Sequence, residues 1–213
     1  IIIPSISNGI CEISNILKSE DVMHTLDAFK NMGVKTEEVD NKLIIFGNGL
    51  NSLQKPKDDI YLGNSGTSAR LLTGLLSSQK FDTVLKGDES LSKRPMKRIS
   101  DPLNKMNAKI KTTNGSLPIL IKGNDLIPTS INLEIPSAQI KSGILLASLN
   151  IKGETKLSEN KITRDHTEIM LESFGADIEI KNQNNKKIIK IIGKKELTSK
   201  NINVPNDLSS SAF

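Results

Sequence analysis

A repeat of about 70 residues limits the folds that this chain of 213 residues can adopt. Three apolar segments with helical periodicity end in FKNMGV, LNKMNA and LESFGA, where Gly33, Asn107 and Gly175 suit the left-handed conformation that follows a helix. These positions lie 74 and 68 residues apart. The strand-like runs KLIIFG, LPILIKG and IIKIIG come next, and their closing glycines lie 76 and 70 residues apart. The similar spacings predict three copies of one structural unit.

Each copy also has an earlier half. Residues 65–78 and 136–149 are rich in small and apolar residues, which is typical of helices buried on all sides, and IIIPSIS has the composition of the end of a third. Short strands are expected to follow these helices, at residues 11–17, 82–88 and 154–160. The predicted fold class is α/β (α+β type), with apolar helices inside and sheets outside.

The units are predicted to span about residues 1–50, 51–125 and 126–200, within a single domain over residues 1–205. The chain opens inside the apolar run IIIP and stops at SSSAF, which has the composition of a helix start. We therefore expect a segment of a longer protein, in which residues 206–213 begin a crossover to a second domain.

Composition narrows the classes of partner. The net charge of +5 and the pI of about 9.2 predict an anionic ligand, but 3% aromatic residues and no Trp argue against a protein that stacks nucleic-acid bases. No apolar stretch approaches the ~20 residues of a membrane span.

Cys11 is the only cysteine, which fits a reducing, cytoplasmic compartment. No His/Cys cluster is present, so we expect no metal and no cofactor.

Polar and basic residues gather at the predicted helix starts. Asn64 and Gly66 lie where free backbone N–H groups and the helix dipole favour an anion, although simple helix capping explains the same residues. Ser137 and Gln139 head the next buried helix, as a cap and a solvent contact in the plainer interpretation. In ITRDHTEIML, Thr163 is the expected N-cap of a further helix.

The run SLSKRPMKR places several cations together. Pro95 is expected in the first turn of a helix, so that Arg94 and its basic neighbours would crowd the positive end of the helix dipole. A solvated basic face is the common explanation for such a run. The unfavourable charge is relieved if Arg94 faces a bound anion, and we expect that arrangement.

At these residues the chain resembles a known family. The segments YLGNSGTSARLL, GDESLSKRPMKRISDPLNKM, IPSAQIKSGILLASL, TRDHTEIMLESFGADI and VPNDLSSSAF are similar to consecutive motifs of the 5-enolpyruvylshikimate-3-phosphate synthases. Order and spacing match along essentially the whole chain. The resemblance is to the bacterial form with RDHTE rather than the form with a tyrosine in this region.

The resemblance implies transfer of the enolpyruvyl group of phosphoenolpyruvate to the 5-hydroxyl of shikimate 3-phosphate, with release of phosphate. It also implies a two-domain protein, each domain built from three βαβαββ units. The implied phosphoenolpyruvate-binding residues are Asn64, Gly66, Arg94 and Gln139. The implied shikimate 3-phosphate-binding residues are Ser137, Ala138, Gln139, Thr163 and Arg164. Thr163 stands where many members have a serine, and for Arg70, which matches the motif, a structural role stays open.

The resemblance further implies that the acid-base residues lie outside these 213 residues. We therefore expect no catalytic residue here, no activity from this segment alone, and a full-length monomer that binds small anions but neither nucleic acid nor membranes. Two alternatives stay open. One is the related UDP-N-acetylglucosamine enolpyruvyl transferase, whose reactive cysteine lies in a loop, whereas Cys11 lies in a predicted strand. The other is an anion-binding domain without catalysis.

Overall fold

The computed structural model describes residues 1–183 and 186–205, in which three four-stranded sheets surround a group of buried helices. This arrangement confirms the predicted α/β class with helices inside and sheets outside. The crossover expected at residues 206–213 lies outside the described residues.

The first unit places one long helix between a strand and a hairpin. Glu20 and Asp21 in the first turn of this helix suit its positive end, and Lys30 in the last turn suits its negative end. In chain order its elements are α1 (Ile2–Ser5), β1 (Asn8–Ser14), α2 (Glu20–Asn31), β2 (Lys35–Val39) and β3 (Lys42–Asn48).

The second unit repeats this order and adds a strand in front and a short extra helix. Its hairpin turns at Asn114 and Gly115, both with positive φ, as the Asn-Gly pair requires. Its elements are β4 (Ile60–Tyr61), α3 (Gly66–Ser77), β5 (Thr83–Lys86), α4 (Glu89–Ser92), α5 (Lys97–Lys105), β6 (Lys109–Thr113) and β7 (Ser116–Lys122).

The third unit has the same plan. Its elements are β8 (Ser130–Leu133), α6 (Ala138–Ser148), β9 (Glu154–Glu159), α7 (His166–Ser173), β10 (Asp177–Gln183) and β11 (Lys186–Ile192), followed by β12 (Ile202–Asn203). The three helix-ending residues predicted from the repeat, Gly33, Asn107 and Gly175, have φ of 87°, 69° and 89°. The predicted left-handed positions are therefore confirmed.

The sheets share one strand order. They run β4-β5-β7-β6, β8-β9-β11-β10 and β12-β1-β3-β2, and in each the first pair is parallel and the other pairs are antiparallel. The first unit has no preceding strand of its own among the described residues, and β12 occupies that place by pairing with β1 through Ile13 and Ile202. β12, the final strand in the described part of the chain, thus completes the first sheet.

Two glycines let the central helices touch. A Cβ built on Gly74 of α3 would stand 1.9 Å from the carbonyl oxygen of Gly143 in α6, so no other residue fits at this crossing without moving a backbone. The buried apolar side chains of the three units form one continuous core around the crossing. This close packing brings the N-terminal ends of α3 and α6 side by side. Within the described ranges, no helix has the length and apolar character needed to cross a membrane.

Candidate functional site

The start of α3 forms one wall of the candidate site. Ser65 is the N-cap, and its hydroxyl oxygen accepts from the backbone N–H of Ser68 at 3.2 Å. Gly66 is the first helical residue and is buried. A Cβ on Gly66 would stand 2.8 Å from Arg94 Nη1 and 2.9 Å from Arg70 Nη1. Two guanidinium groups therefore lie directly over this helix start.

Arg94 is held near α3 by a polar neighbour. Its Nη2 donates to Asn64 Oδ1, one of the other predicted ligands, so Asn64, Gly66 and Arg94 lie together as expected. The asparagine contributes no negative charge to the pair. The guanidinium thus lies beside a neutral partner at the positive end of a helix, where an anion would be favoured.

The helix expected to start at Pro95 starts later. α5 begins at Lys97 with Met96 as its N-cap, and the carboxylate of Asp88 instead caps the short helix α4 by accepting from Leu91 N–H at 2.7 Å. The prediction that Arg94 stands at the start of its own helix was therefore wrong. Arg94 follows the C-terminal end of α4 and faces the start of α3 through space.

Arg70 connects the two helices. Its Nη1 donates to the Gly66 carbonyl oxygen at 3.0 Å and to Gln139 Oε1 at 2.8 Å. The amide nitrogen of Gln139 in turn donates to Thr67 Oγ1 at 2.8 Å. Gln139 is thus half-buried and bound by α3 on both sides of its amide, so the interpretation as a plain solvent contact was wrong.

The start of α6 is built as predicted. Ser137 is its N-cap, with the hydroxyl oxygen accepting from Ile140 N–H at 3.4 Å, and Ala138 and Gln139 are its first two helical residues.

The prediction that Thr163 is the N-cap of the following helix was wrong, because α7 begins at His166 and Asp165 is its N-cap. Thr163 lies in the segment before that helix and donates its hydroxyl hydrogen to Glu159 Oε2 at 2.8 Å.

A cleft of about 220 Å³ brings the two helix starts and the α7 segment together. Its walls include Thr67, Ala138, Gln139, Arg164 and Thr167. A larger cavity, of about 560 Å³, has mainly apolar walls contributed by residues such as Ile13, Ile16 and Val22. Moving a charged ligand from water to apolar walls costs free energy, because such walls offer it no hydrogen bonds. The smaller cleft is therefore the better candidate for an anion.

The arginines differ from the lysines in their ionic contacts. The chain has four arginines, Arg70, Arg94, Arg98 and Arg164. Among the described residues none of them forms a salt bridge, whereas lysines take part in all of the salt bridges there. Burial lowers the pKa of the Arg70 guanidinium, and the charges of Arg94 and Arg98 lower it further. The site is therefore a concentration of uncompensated positive charge.

The sequence alone indicates no role for Thr67 and leaves the role of Arg70 open. Both make the hydrogen bonds that orient Gln139, across 69 and 72 residues of chain. The concentration of all four arginines in the predicted binding motifs was the available signal for Arg70. In the part of the chain that the structure describes, no group of three or more His, Cys, Asp or Glu side chains is arranged to hold a metal ion.

Comparisons with known proteins agree with one another. The family model described as EPSP synthase (3-phosphoshikimate 1-carboxyvinyltransferase) matches residues 1–213. A 3-phosphoshikimate 1-carboxyvinyltransferase of Ruthia magnifica subsp. Calyptogena magnifica is 50% identical over 214 residues, which cover 100% of this chain and 48% of that protein. One of Streptococcus pyogenes serotype M2 is 44% identical over 216 residues, covering 100% and 49%.

A solved structure shows the same similarity in three dimensions. The EPSP synthase from Acinetobacter baumannii superimposes with a TM-score of 0.91 at 46% sequence identity, over 99% of this chain and 47% of that one. The chain thus spans about half the length of the relatives that it matches. On the family model, the identities and the shared fold, the chain belongs to the EPSP synthase family.

Proposed function

We propose that a full-length protein containing this chain transfers the enolpyruvyl group of phosphoenolpyruvate to the 5-hydroxyl of shikimate 3-phosphate. An ether bond forms between the 5-oxygen and C2 of phosphoenolpyruvate, while the O–H bond of the 5-hydroxyl and the bond from C2 to the phosphate oxygen break. In the overall balance the hydroxyl hydrogen leaves with the phosphate. Family membership supports this activity. Both substrates carry a phosphate and a carboxylate. Arg70, Arg94 and Arg164 form no salt bridge among the described residues, and free guanidinium groups suit such ligands.

We assign phosphoenolpyruvate to the start of α3. Asn64, Gly66 and Arg94 surround one helix end, where backbone N–H groups and the guanidinium fork of Arg94 would donate to an anion. Gln139 borders this subsite through Arg70, which binds both Gly66 and Gln139.

We assign shikimate 3-phosphate to the start of α6 and the segment before α7. Ser137, Ala138 and Gln139 present the helix start, and Arg164 supplies a long cationic side chain from the opposite wall of the cleft. Thr163 belongs to this wall through its place beside Arg164. In this division Gln139 lies between the two substrates.

The role assigned to this chain is binding and orientation. Holding two reactants in a fixed arrangement accelerates a reaction between them, but proton transfer needs suitably placed acids and bases. We assign no proton-transfer residue here and propose that the 213-residue chain alone binds substrates without turning them over. We also propose a cytoplasmic monomer for the full-length protein, with small-molecule partners and without nucleic acid; the lone Cys11 supports a reducing compartment.

Calorimetry on a full-length protein with two arginine variants tests the assignment. Shikimate 3-phosphate is titrated first, and phosphoenolpyruvate is titrated after the first ligand is saturating. Arg164→Lys should weaken the first titration and Arg94→Lys the second, because an ammonium cannot reproduce the paired hydrogen bonds of a guanidinium. Arg98→Lys is the matched control, since Arg98 makes no side-chain hydrogen bond among the described residues. Absence of shikimate 3-phosphate binding by the unmodified protein would refute the proposed function.

A further inference from the structure

Four charged side chains form a buried cluster behind the cleft. Lys141 Nζ lies 3.1 Å from Glu159 Oε1 and 2.7 Å from Glu168 Oε1, and Lys187 Nζ lies 3.1 Å from the same Glu168 oxygen. These side chains are at most 6% exposed. Each salt bridge outside the cluster, within the described ranges, joins side chains that are at least 35% exposed. Asp165, whose side chain is 51% exposed, places its Oδ2 3.8 Å from Lys187 Nζ at the edge of the cluster. Two ammonium groups therefore face two buried carboxylates and one exposed carboxylate.

A contribution to the stability of the fold does not by itself explain such a cluster. Removing charges from water costs free energy that their mutual attraction only partly offsets, and apolar side chains of similar volume often stabilise a fold equally well. What the cluster supplies is fixed geometry, because each ionic contact joins a particular pair of atoms. Its value therefore depends on which elements it joins.

The cluster joins the two walls of the proposed shikimate 3-phosphate subsite. Lys141 lies on α6, two residues after Gln139, while Glu159 ends β9 and Glu168 lies in the first turn of α7. The segment between Glu159 and Glu168 contains Arg164, and both of its flanking carboxylates bind the same ammonium group of Lys141. A hydrogen bond of 2.7 Å between the hydroxyls of Ser142 and Thr167 joins α6 and α7 a second time.

Glu159 also holds the residue directly before Arg164. Its Oε1 accepts from the backbone N–H of Thr163 at 3.3 Å, and its Oε2 accepts from the Thr163 hydroxyl at 2.8 Å. Thr163 has one backbone and one hydroxyl hydrogen, and both are donated to this carboxylate. A phosphate dianion only accepts hydrogen bonds, so in this arrangement Thr163 has no donor left for it.

We infer that Lys141, Glu159 and Thr163 are positioning residues that hold Arg164 at a fixed place opposite the start of α6. Arg164 and Ser137–Gln139 then present one rigid pair of walls to the phosphorylated substrate, and Thr163 acts through Glu159 rather than by contact with the phosphate. This inference rests on the proposed function, because the substrate named is the one assigned to this cleft.

Glu159→Gln in a full-length protein tests the inference with an isosteric change. One of the two carboxylate oxygens becomes an N–H₂ group, so the substituted side chain cannot accept from both hydrogens of Thr163 and from Lys141 as well. The KM for shikimate 3-phosphate should rise about tenfold, as for one lost hydrogen bond to a charged group, while the KM for phosphoenolpyruvate stays unchanged. An unchanged KM for shikimate 3-phosphate, or equal increases for both substrates, would overturn the inference.

Gln79→Met is the matched control for a general loss of stability. Gln79 is 2% exposed and donates to the Leu50 carbonyl oxygen at 3.2 Å. It follows the C-terminal end of the 12-residue helix α3, about 18 Å along that helix from its start. This variant should lower the melting temperature and leave both KM values unchanged. A rise of the KM for shikimate 3-phosphate in Gln79→Met as large as in Glu159→Gln would count against positioning.

Thr163 variants keep the inference testable if Glu159→Gln does not fold, because Thr163 is half-buried and lies outside the helices and strands. Thr163→Ser keeps the hydroxyl and should behave like the unmodified protein, whereas Thr163→Val should raise the KM for shikimate 3-phosphate. An unchanged KM for shikimate 3-phosphate in Thr163→Val would overturn the inference by itself. Where Glu159→Gln folds, the two effects should not add in the double variant, because both remove the same contact. Full additivity would mean that Thr163 touches the substrate itself and would overturn the inference. An unmodified protein inactive with shikimate 3-phosphate would instead refute the proposed function.

Discussion

Arg70 Nη1 donates to Gln139 Oε1 at 2.8 Å, and this hydrogen bond joins α3 to the first turn of α6. The same nitrogen also binds the Gly66 carbonyl oxygen at 3.0 Å. One guanidinium therefore bridges the two proposed subsites. Replacing Arg70 should therefore change the binding of ligands on both sides of the cleft.

Arg70→Met should weaken the binding of both substrates to the full-length protein. The change removes the contact that orients Gln139 and leaves its amide oxygen without that donor, a loss of about 1–3 kcal/mol for a hydrogen bond involving a charged group. Calorimetric titration of each substrate measures it. Arg98→Met removes the same charge nearby without removing a side-chain hydrogen bond among the described residues. Equal losses in both variants would mean that charge alone, and not the orientation of Gln139, matters.

Gly66→Ala should weaken the binding of phosphoenolpyruvate more than the binding of shikimate 3-phosphate. The new methyl group would stand 2.8 Å from Arg94 Nη1 and 2.9 Å from Arg70 Nη1, so both guanidinium groups must move from the helix start. The fold should keep its stability, because the atoms that must move are the far ends of two flexible side chains. Thermal melting and titration of both ligands measure the two effects. Unchanged phosphoenolpyruvate affinity would make Gly66 a structural residue only.

Arg94→Lys should lose about 1–3 kcal/mol of phosphoenolpyruvate binding, because lysine keeps the charge but not the planar pair of donors. The melting temperature should barely change even in Arg94→Ala, since the bond from Arg94 to Asn64 is exposed to solvent. Titration with phosphoenolpyruvate and a thermal melt check both expectations. A variant that melts early yet binds phosphoenolpyruvate normally would show that Arg94 supports the fold instead.

Cys11 should resist thiol reagents while the chain is folded. It is fully buried, its Sγ donates to the Lys200 carbonyl oxygen at 2.9 Å, and burial raises the pKa of the thiol to about 11. The folded-state pKa lies above that of an unfolded cysteine, so the stability gained from the neutral thiol is complete below about pH 8.5 and is lost as the pH rises towards 11.

Alkylation at about pH 8, just below the ordinary pKa of a cysteine, measures this protection. The rate in buffer should be far below the rate in denaturant, because the reactive species is the thiolate and the folded chain offers little of it. Equal rates with and without denaturant would place Cys11 in an accessible position.

The repeat was predictable because its signals are local. Gly33, Asn107 and Gly175 end helices through their own backbone preferences, and the spacing between them is visible in the sequence. The pairing of β12 with β1 was not predictable in this way, because it joins residues near opposite ends of the chain. Strand pairing of that kind depends on the complete fold rather than on local composition.

Two helix starts were misplaced for identifiable reasons. Pro95 suggested the first turn of α5. In the structure Asp88 caps a separate short helix upstream, and α5 begins only at Lys97. Thr163 has the residue type of an N-cap, yet its hydroxyl is bound to Glu159 and α7 begins at His166. The Thr163 hydroxyl had more than one available partner, and only the packed structure selects between them.

Release of phosphate from phosphoenolpyruvate by a full-length protein containing this chain, measured with each of two acceptors, decides the proposed activity. Arg94, Gln139 and Arg164 are assigned to a pair of small phosphorylated acids, and the family match names the same transfer. Phosphate should therefore appear only when shikimate 3-phosphate and phosphoenolpyruvate are present together, and Arg164→Lys should raise the shikimate 3-phosphate concentration required. Phosphate release with UDP-N-acetylglucosamine in place of shikimate 3-phosphate, or none with shikimate 3-phosphate, would contradict the assignment.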